Sequence, residues 1–196
     1  MECDGGIYIS ENARREDFMR LDLNEDNIND SSLCKAIRIF KDRIIGRYLS
    51  QIKKLNENSF ENGFASMALC CLLIDTFYQF EYGVAETREN HRCYTYFLNK
   101  FLGDTFNTSN KRNRFYKDIR CGILHSAQTK NGSRLSCEQE GVIKIIDPNT
   151  RNSPISVNVV GMEEILTKYF NSYCDRVLSD RGTQINFIRK MHLIFD

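Results

Sequence analysis

Most of the chain carries apolar residues at helical spacing, and one short region carries them at strand spacing. Apolar side chains that recur every three or four positions predict six helices. Their predicted ranges are 33–55, 59–82, 94–102, 109–125, 162–177 and 183–195. The second range is apolar on every side, which is typical of the most buried helix of a domain. The candidate N-caps are Ser31 or Ser32, Thr108 or Ser109, and Thr183, and Gly83 and Gly103 are candidate helix stops.

The apolar spacing changes to every second residue after the turn sequence Asn131-Gly132. Strands are predicted at 133–137, 142–146 and 155–159, and short turn sequences separate them. The predicted fold is mainly α: an up-and-down helical bundle with a small antiparallel β meander inserted before the C-terminal helices. The predicted parts are an N-terminal segment at 1–30, a helical core at 31–130, the meander at 131–160 and the C-terminal helices at 161–196.

Composition indicates an ordinary globular protein. The chain has 196 residues, of which 41% are apolar and 27% charged, and this favours one domain over 1–196. Asp75, Thr76 and Gln79 interrupt the most apolar stretch, so no transmembrane helix is expected. The sequence begins with acidic residues where a signal peptide is basic and then apolar. We therefore expect a cytoplasmic protein.

The eight cysteines show neither a disulfide framework nor a metal-binding pattern. Several lie inside apolar helical patterns, and a chain of this size needs no covalent staples, so reduced thiols are expected. No C-x2-C or C-x4-C pair is present, and no histidine follows at ligand spacing. We expect no metal and no cofactor.

Charge is distributed unevenly, although the net charge is only +1. Residues 1–30 hold nine acidic and three basic side chains, whereas residues 111–134 contain a single acid, Asp118. The cations in that basic segment are Lys111, Arg112, Arg114, Lys117, Arg120, Lys130 and Arg134. A cluster of this kind suits a polyanion such as RNA, and the alternative is a solvated helix face.

Arg120 and His125 form the candidate catalytic pair. Arginine holds a phosphate through a fork of donors, and histidine transfers protons near neutral pH, so the pair suits phosphodiester cleavage without metal. Five residues of regular helix turn through roughly 500°, so on one straight helix the two side chains point about 140° apart. Either Gly122 loosens the helix end, or two copies meet on a twofold axis. The alternative is an arginine and a histidine with only structural roles.

The chain from Leu33 to Gly132, with Arg120 and His125 at the end of the fourth helix, resembles the HEPN superfamily (higher eukaryotes and prokaryotes nucleotide-binding domain). The resemblance rests on an R-x4-H motif within the sequence FYKDIRCGILH. It implies a metal-independent endoribonuclease that acts as a homodimer, with Arg120 and His125 as catalytic residues. It also implies a role as a toxin or phage-defence effector with an antitoxin or another operon-encoded partner.

Two further residues are candidates for a supporting role. Asp75 lies in the apolar second helix, where a carboxylate needs a partner, and HEPN ribonucleases often place a supporting polar residue there. Cys121 follows the arginine where active members mostly have a polar residue, often asparagine. His91 and His192 have no motif around them and are interpreted as structural or surface residues.

Two functions from different classes remain open at this point. The first is the dimeric endoribonuclease, with Lys111, Arg112, Lys117, Lys130 and Arg134 binding RNA. The second is a catalytically silent HEPN module that binds a nucleotide, RNA or a protein partner, and Cys121 favours it. A purely structural helical domain is a third possibility, which the absence of a basic face beside Arg120 would favour.

Overall fold

A computed structural model describes residues 2–3, 6–58, 60–150 and 152–195 and shows a mainly helical protein with a small three-stranded sheet before the C-terminal helices. The mainly α prediction is therefore confirmed. The helices are α1 (Arg15–Met19), α2 (Asp30–Ile44), α3 (Ser50–Asn58), α4 (Gly63–Tyr82), α5 (Asn90–Phe101), α6 (Ser109–Arg114), α7 (Cys121–Ser126), α8 (Val159–Ser179) and α9 (Arg181–Phe195). The strands are β1 (Glu2–Cys3), β2 (Gly6–Ile7), β3 (Arg134–Ser136), β4 (Ile143–Ile145) and β5 (Ile155–Asn158).

Two π-helical segments join helices that the apolar spacing predicts as single elements. Ile45–Leu49 connects α2 to α3, and Phe115–Arg120 connects α6 to α7. The second predicted helix begins with a 3-10 turn at Phe60–Asn62, and its predicted first residue, Ser59, lies outside the described residues. Because a π segment widens the helix locally, it changes which side chains face the core while the helix continues.

Helix ends differ from the predicted caps at two places and agree at two. The side chain of Asn29, rather than Ser31 or Ser32, accepts the Ser32 amide and caps α2. Asp180, rather than Thr183, caps α9, because its carboxylate accepts the Thr183 amide at 2.7 Å. Thr108 accepts the Lys111 amide as predicted, and Gly83 has the left-handed backbone of a helix stop. A carboxylate or amide acceptor competes well with a hydroxyl at an N-cap, so spacing alone does not select between them.

The sheet is mixed rather than an antiparallel meander. Its strand order is β3-β5-β4, with β5 parallel to β3 and antiparallel to β4. The three strands were predicted at the right places, but the meander order was wrong. Strand spacing indicates which residues alternate faces, whereas strand order depends on where the connections run. Here β5 lies in the centre, where all three of its first residues are buried.

The chain divides into two compact units. The first takes in the described parts of 1–50, 79–87 and 170–196. Its core is an aromatic cluster in which the Phe40 ring lies 4.3 Å from the Phe80 ring and 5.4 Å from those of Phe170 and Phe187. Such rings bury large apolar areas, and their tilted arrangements add to that stabilisation.

The second unit takes in the described parts of 51–78 and 88–169, and it holds the candidate residues of the basic segment. One ring cluster centres on Tyr169, which lies 5.0 Å from Phe97 and 5.2 Å from Phe77. A second cluster stacks Tyr94 on Phe115. Two compact units can belong to one domain or to two, so one domain over 1–196 stays a prediction.

Helix α4 is long and apolar enough to cross a membrane by length and composition. Half of its most apolar 18-residue window is buried in the protein, and the core helix of a soluble protein passes the same test. The expectation of a cytoplasmic protein without a membrane segment therefore stays a prediction.

Candidate active site

The motif helix, defined as α6, the π segment Phe115–Arg120 and α7, carries both candidate catalytic residues. Its predicted anchors Phe115, Ile119 and Ile123 are all buried. They hold the helix in the core of the second unit and leave its last turn, with His125, exposed. The apolar stripe thus presents the end of the motif to solvent.

Arg120 and His125 contact each other within one chain. The Arg120 Nη1 lies 3.3 Å from the His125 Nε2. The two side chains therefore meet within one chain, although their 140° divergence on one straight helix led us to expect a loosened helix end or a second copy. Side chains tilt towards the N-terminus of a helix, so His125 reaches back while the long Arg120 side chain wraps forward. A guanidinium only donates, so in this arrangement the Nε2 accepts and the ring proton lies on Nδ1.

Cys121 lies on the path between the two side chains. At about 100° per residue it stands between the directions of Arg120 and His125. The Arg120 Nη1 lies 3.9 Å from the Cys121 sulfur, a weak acceptor. Burial lowers the pKa of Arg120, but the contact with Cys121 and the nearby Tyr116 reverse the effect, and the net pKa is raised. Cys121 therefore holds the guanidinium in place, although more weakly than an amide oxygen would.

Tyr116 supports the guanidinium from one side. Its ring centroid lies 5.5 Å from the Arg120 Cζ, within cation–π distance. The same ring lies 5.4 Å from Tyr94 and 4.8 Å from His91, and His91 bonds to Asn113 at 3.0 Å. His91 is a surface residue, as predicted, yet its ring also positions Tyr116. No motif surrounds it, so only the fold connects it to the site.

The nearest buried acids, Cys71 and Tyr94, stay protonated. Burial raises the pKa of Cys71 to about 12, against the opposing effects of Tyr94 and Arg120. Burial likewise raises the pKa of Tyr94 well above its ordinary value, with the neighbouring Cys71 adding to the shift. A thiol or phenol with such a pKa does not act as a base near neutral pH. Among the side chains in contact with Arg120, this leaves His125 as the candidate base.

Asp75 lies half-buried on α4 in the same neighbourhood. Burial is the largest cause of the raised pKa of Tyr94 and of Tyr116, and the negative charge of Asp75 is a smaller cause of both shifts. These are the tyrosines that border Arg120. The structure thus places Asp75 beside the aromatic wall of the site, and its supporting role stays a prediction.

Asp118 is a buried acid, although in the sequence it is only one negative charge in a basic segment. It is fully buried and pairs with the Arg114 Nη1 at 3.2 Å. It also accepts from the Asn131 Nδ2 at 2.7 Å and the Ser133 Oγ at 2.9 Å. Those two donors follow the motif helix, so Asp118 joins the helix to the chain that leads into β3. Contacts with donors this far along the chain have no signal in the sequence.

The chain after His125 turns back along the motif helix. Ala127 takes a left-handed conformation, and the Lys130 amide donates to the Asp118 carbonyl at 3.0 Å. A Cβ on Gly122 would collide with the Gln128 carbonyl oxygen and lie 3.2 Å from the Thr129 Cα. Gly122 therefore permits this close approach of backbone, and it does not loosen the helix as one hypothesis held.

The five predicted RNA-binding cations fall into two groups. Lys117, Lys130 and Arg134 are exposed. Lys111 and Arg112 are half-buried and donate to backbone carbonyls, those of Thr105 at 3.3 Å and Phe106 at 2.7 Å. The first group is open to a ligand, whereas the second stabilises the start of the motif helix.

Among the described residues, no group of three or more His, Cys, Asp or Glu side chains is arranged to hold a metal ion. The seven cysteines with described side chains are free thiols. No protein-family model, curated protein or solved structure matches this chain. Its function therefore has to be inferred from the residues of the site.

Proposed function

We propose that this protein is a metal-independent endoribonuclease whose catalytic residues are Arg120 and His125. The observation that carries the proposal is the 3.3 Å contact between the Arg120 Nη1 and the His125 Nε2 on the exposed end of the motif helix. It brings a phosphate-binding group and a proton-transfer group to one place. The exposed Lys117 and Lys130 belong to the same helix end and the chain after it.

The chemistry follows from these two groups. His125 accepts the proton of the 2'-hydroxyl, whose oxygen then attacks the adjacent phosphorus. Arg120 moves from the imidazole to the phosphoryl oxygens, where negative charge develops, and stabilises it. The leaving 5'-oxygen takes a proton, and the product carries a 2',3'-cyclic phosphate. The group that donates this proton to the 5'-oxygen in the proposal is the His125 of a second copy, in a homodimer.

Cleavage of total RNA in the presence of EDTA tests the proposal. Both His125→Ala and Arg120→Ala should lower the cleavage rate by about 10²- to 10⁴-fold, because each removes a positioned catalytic group. Arg120→Lys should also lose activity, since a lysine keeps the charge but not the fork of donors. Arg38→Ala, an exposed arginine of the first unit, is the matched control and should cleave normally.

The products and substrates supply further readouts. RNA fragments should end in a 2',3'-cyclic phosphate or 3'-phosphate, and DNA should remain intact because it lacks the 2'-hydroxyl. A strict requirement for Mg²⁺, or full activity of His125→Ala, would rule the mechanism out. Circular dichroism of each variant separates loss of chemistry from loss of fold.

A catalytically silent module that binds RNA, a nucleotide or a protein is the second candidate. The observation that favours this second candidate is that the Arg120 Nη1 already contacts His125 and the weak acceptor Cys121 within its own chain. A folded wild-type protein that binds RNA through Lys117 and Lys130 without cutting it would select this alternative.

A further inference from the structure

One face of the three-stranded sheet carries a row of two cations with a serine between them. The strand register pairs Arg134 with Ser156 and Ser156 with Lys144. Residues paired across neighbouring strands point to the same face, so two cations flank a serine hydroxyl. With strands about 4.8 Å apart, the Cα atoms of the two cations are separated by roughly 10 Å.

These three side chains line a cleft of about 430 Å³. The remaining lining residues are Leu135, Ser136, Gln139 and Ile146, so the lining contains no acid. Gln139 is fixed in place, since its Nε2 donates to the carbonyls of Gly141, Val142 and Ser156 at 3.0–3.3 Å. The floor of the cleft is therefore rigid.

No described residue neutralises the two cations. Arg134 and Lys144 are exposed, and neither side chain forms an ion pair within the described part of the chain. Ser156 is only 3% exposed, and it lines the cleft between the two cations. Two cations and a hydroxyl that face one cleft with no acid in its lining suit an anion bound between them.

We propose that the row Arg134–Ser156–Lys144 binds the phosphate group of a nucleotide-sized ligand. Arg134 and Lys144 supply charge-assisted hydrogen bonds from either side, and the Ser156 hydroxyl donates from below. The volume falls in the range of small-molecule sites, and Ile146, two residues after Lys144, provides apolar surface beside the phosphate. Neither Arg120 nor His125 lines the cleft, and Arg134 is the one cation of the predicted RNA-binding group that does.

Calorimetric titration of the full chain with AMP, ATP, inorganic phosphate and a short RNA tests this site. Wild-type protein should bind at least one of these probes, and Arg134→Gln and Lys144→Gln should each weaken that binding about tenfold, the effect of one charge-assisted hydrogen bond. Ser156→Ala, nearly isosteric, should weaken it a few-fold. The matched control is Lys168→Gln, an exposed lysine of the same unit on α8 that does not line the cleft.

The pattern of probes identifies the source of the phosphate. If AMP or ATP binds to wild type and Lys144→Gln loses that binding, the site is one for a free nucleotide. If Lys144→Gln loses only the binding of RNA, the site is one for an RNA backbone. Absence of binding by all four probes to folded wild-type protein, or binding unchanged in both Arg134→Gln and Lys144→Gln, would overturn the proposal.

Discussion

At the residue scale, burial decides which charges of the basic segment belong to the fold. Asp118 and Arg114 form a pair with 0% and 17% of their side chains exposed, while Lys117 between them in sequence is exposed. A buried carboxylate loses its hydration, and the hydrogen bonds that it accepts from Arg114, Asn131 and Ser133 compensate for that loss. Neighbours in the sequence thus lie in opposite environments.

Replacing Asp118 tests this division. Asp118→Asn should lower the free energy of unfolding by about 3 kcal/mol, because it leaves the Arg114 charge uncompensated and turns an amide donor towards other donors. Chemical denaturation measures the change. Asp104→Asn, an exposed acid of the same unit, should stay within about 0.5 kcal/mol of wild type. Equal effects of the two substitutions would show that Asp118 is not a structural centre.

At the element scale, the motif helix needs a residue without a side chain where the following chain crosses it. Gly122 is buried beneath Gln128 and Thr129, and this crossing sets the direction of the chain from His125 to β3. Gly46, in the π segment Ile45–Leu49, has nothing within 4 Å of its Cβ direction. The two glycines lie in similar helices, but only one is required by packing.

The same substitution at these two positions should have opposite effects. Gly122→Ala should lower stability by about 1–3 kcal/mol, because the backbone at Gln128 has to move. Gly46→Ala should raise stability by about 0.5–1 kcal/mol, because alanine reduces the entropy lost on helix formation. Thermal unfolding of both variants measures the difference. A neutral Gly122→Ala would mean that the chain after His125 is not held against the helix.

At the scale of the whole molecule, the contact between Arg120 and His125 changes what a dimer would contribute. Each chain brings Arg120 and His125 together, so in the proposed mechanism a second copy would contribute only the second proton transfer. If one dimer needs both copies of His125, a mixture with an inactive double variant loses activity as the square of the wild-type fraction.

Mixing wild type with the double variant Arg120→Ala, His125→Ala, after joint refolding, measures this dependence. In an equal mixture about one quarter of dimers contain two intact chains, so the rate per total protein should fall to about one quarter. A fall to one half, in proportion to wild type, would show that each chain acts alone. Light scattering of the mixture provides the control for dimer formation.

RNA affinity belongs to the same scale, because it sums exposed charges over the surface. Replacing both Lys117 and Lys130 with glutamine should reduce the slope of log affinity against log salt by about 1.4, since each phosphate contact in single-stranded RNA contributes about 0.7. Lys111→Gln should leave the slope nearly unchanged, because this lysine donates to the Thr105 carbonyl. Filter binding from low to physiological salt measures both. Equal slopes for all proteins would place the RNA elsewhere.

Residue spacing predicted six helical regions but missed α1, and it predicted the positions of β3, β4 and β5 and the buried anchors Phe115, Ile119 and Ile123. These properties are local, since periodic burial and capping depend on residues a few positions apart. Tertiary structure decided the strand order, the burial of Asp118, the need for Gly122, the contact of His91 with Tyr116 and the row of Arg134, Ser156 and Lys144. Each of these depends on segments distant in sequence that meet only after folding, and apolar spacing carries no information about which distant segments meet.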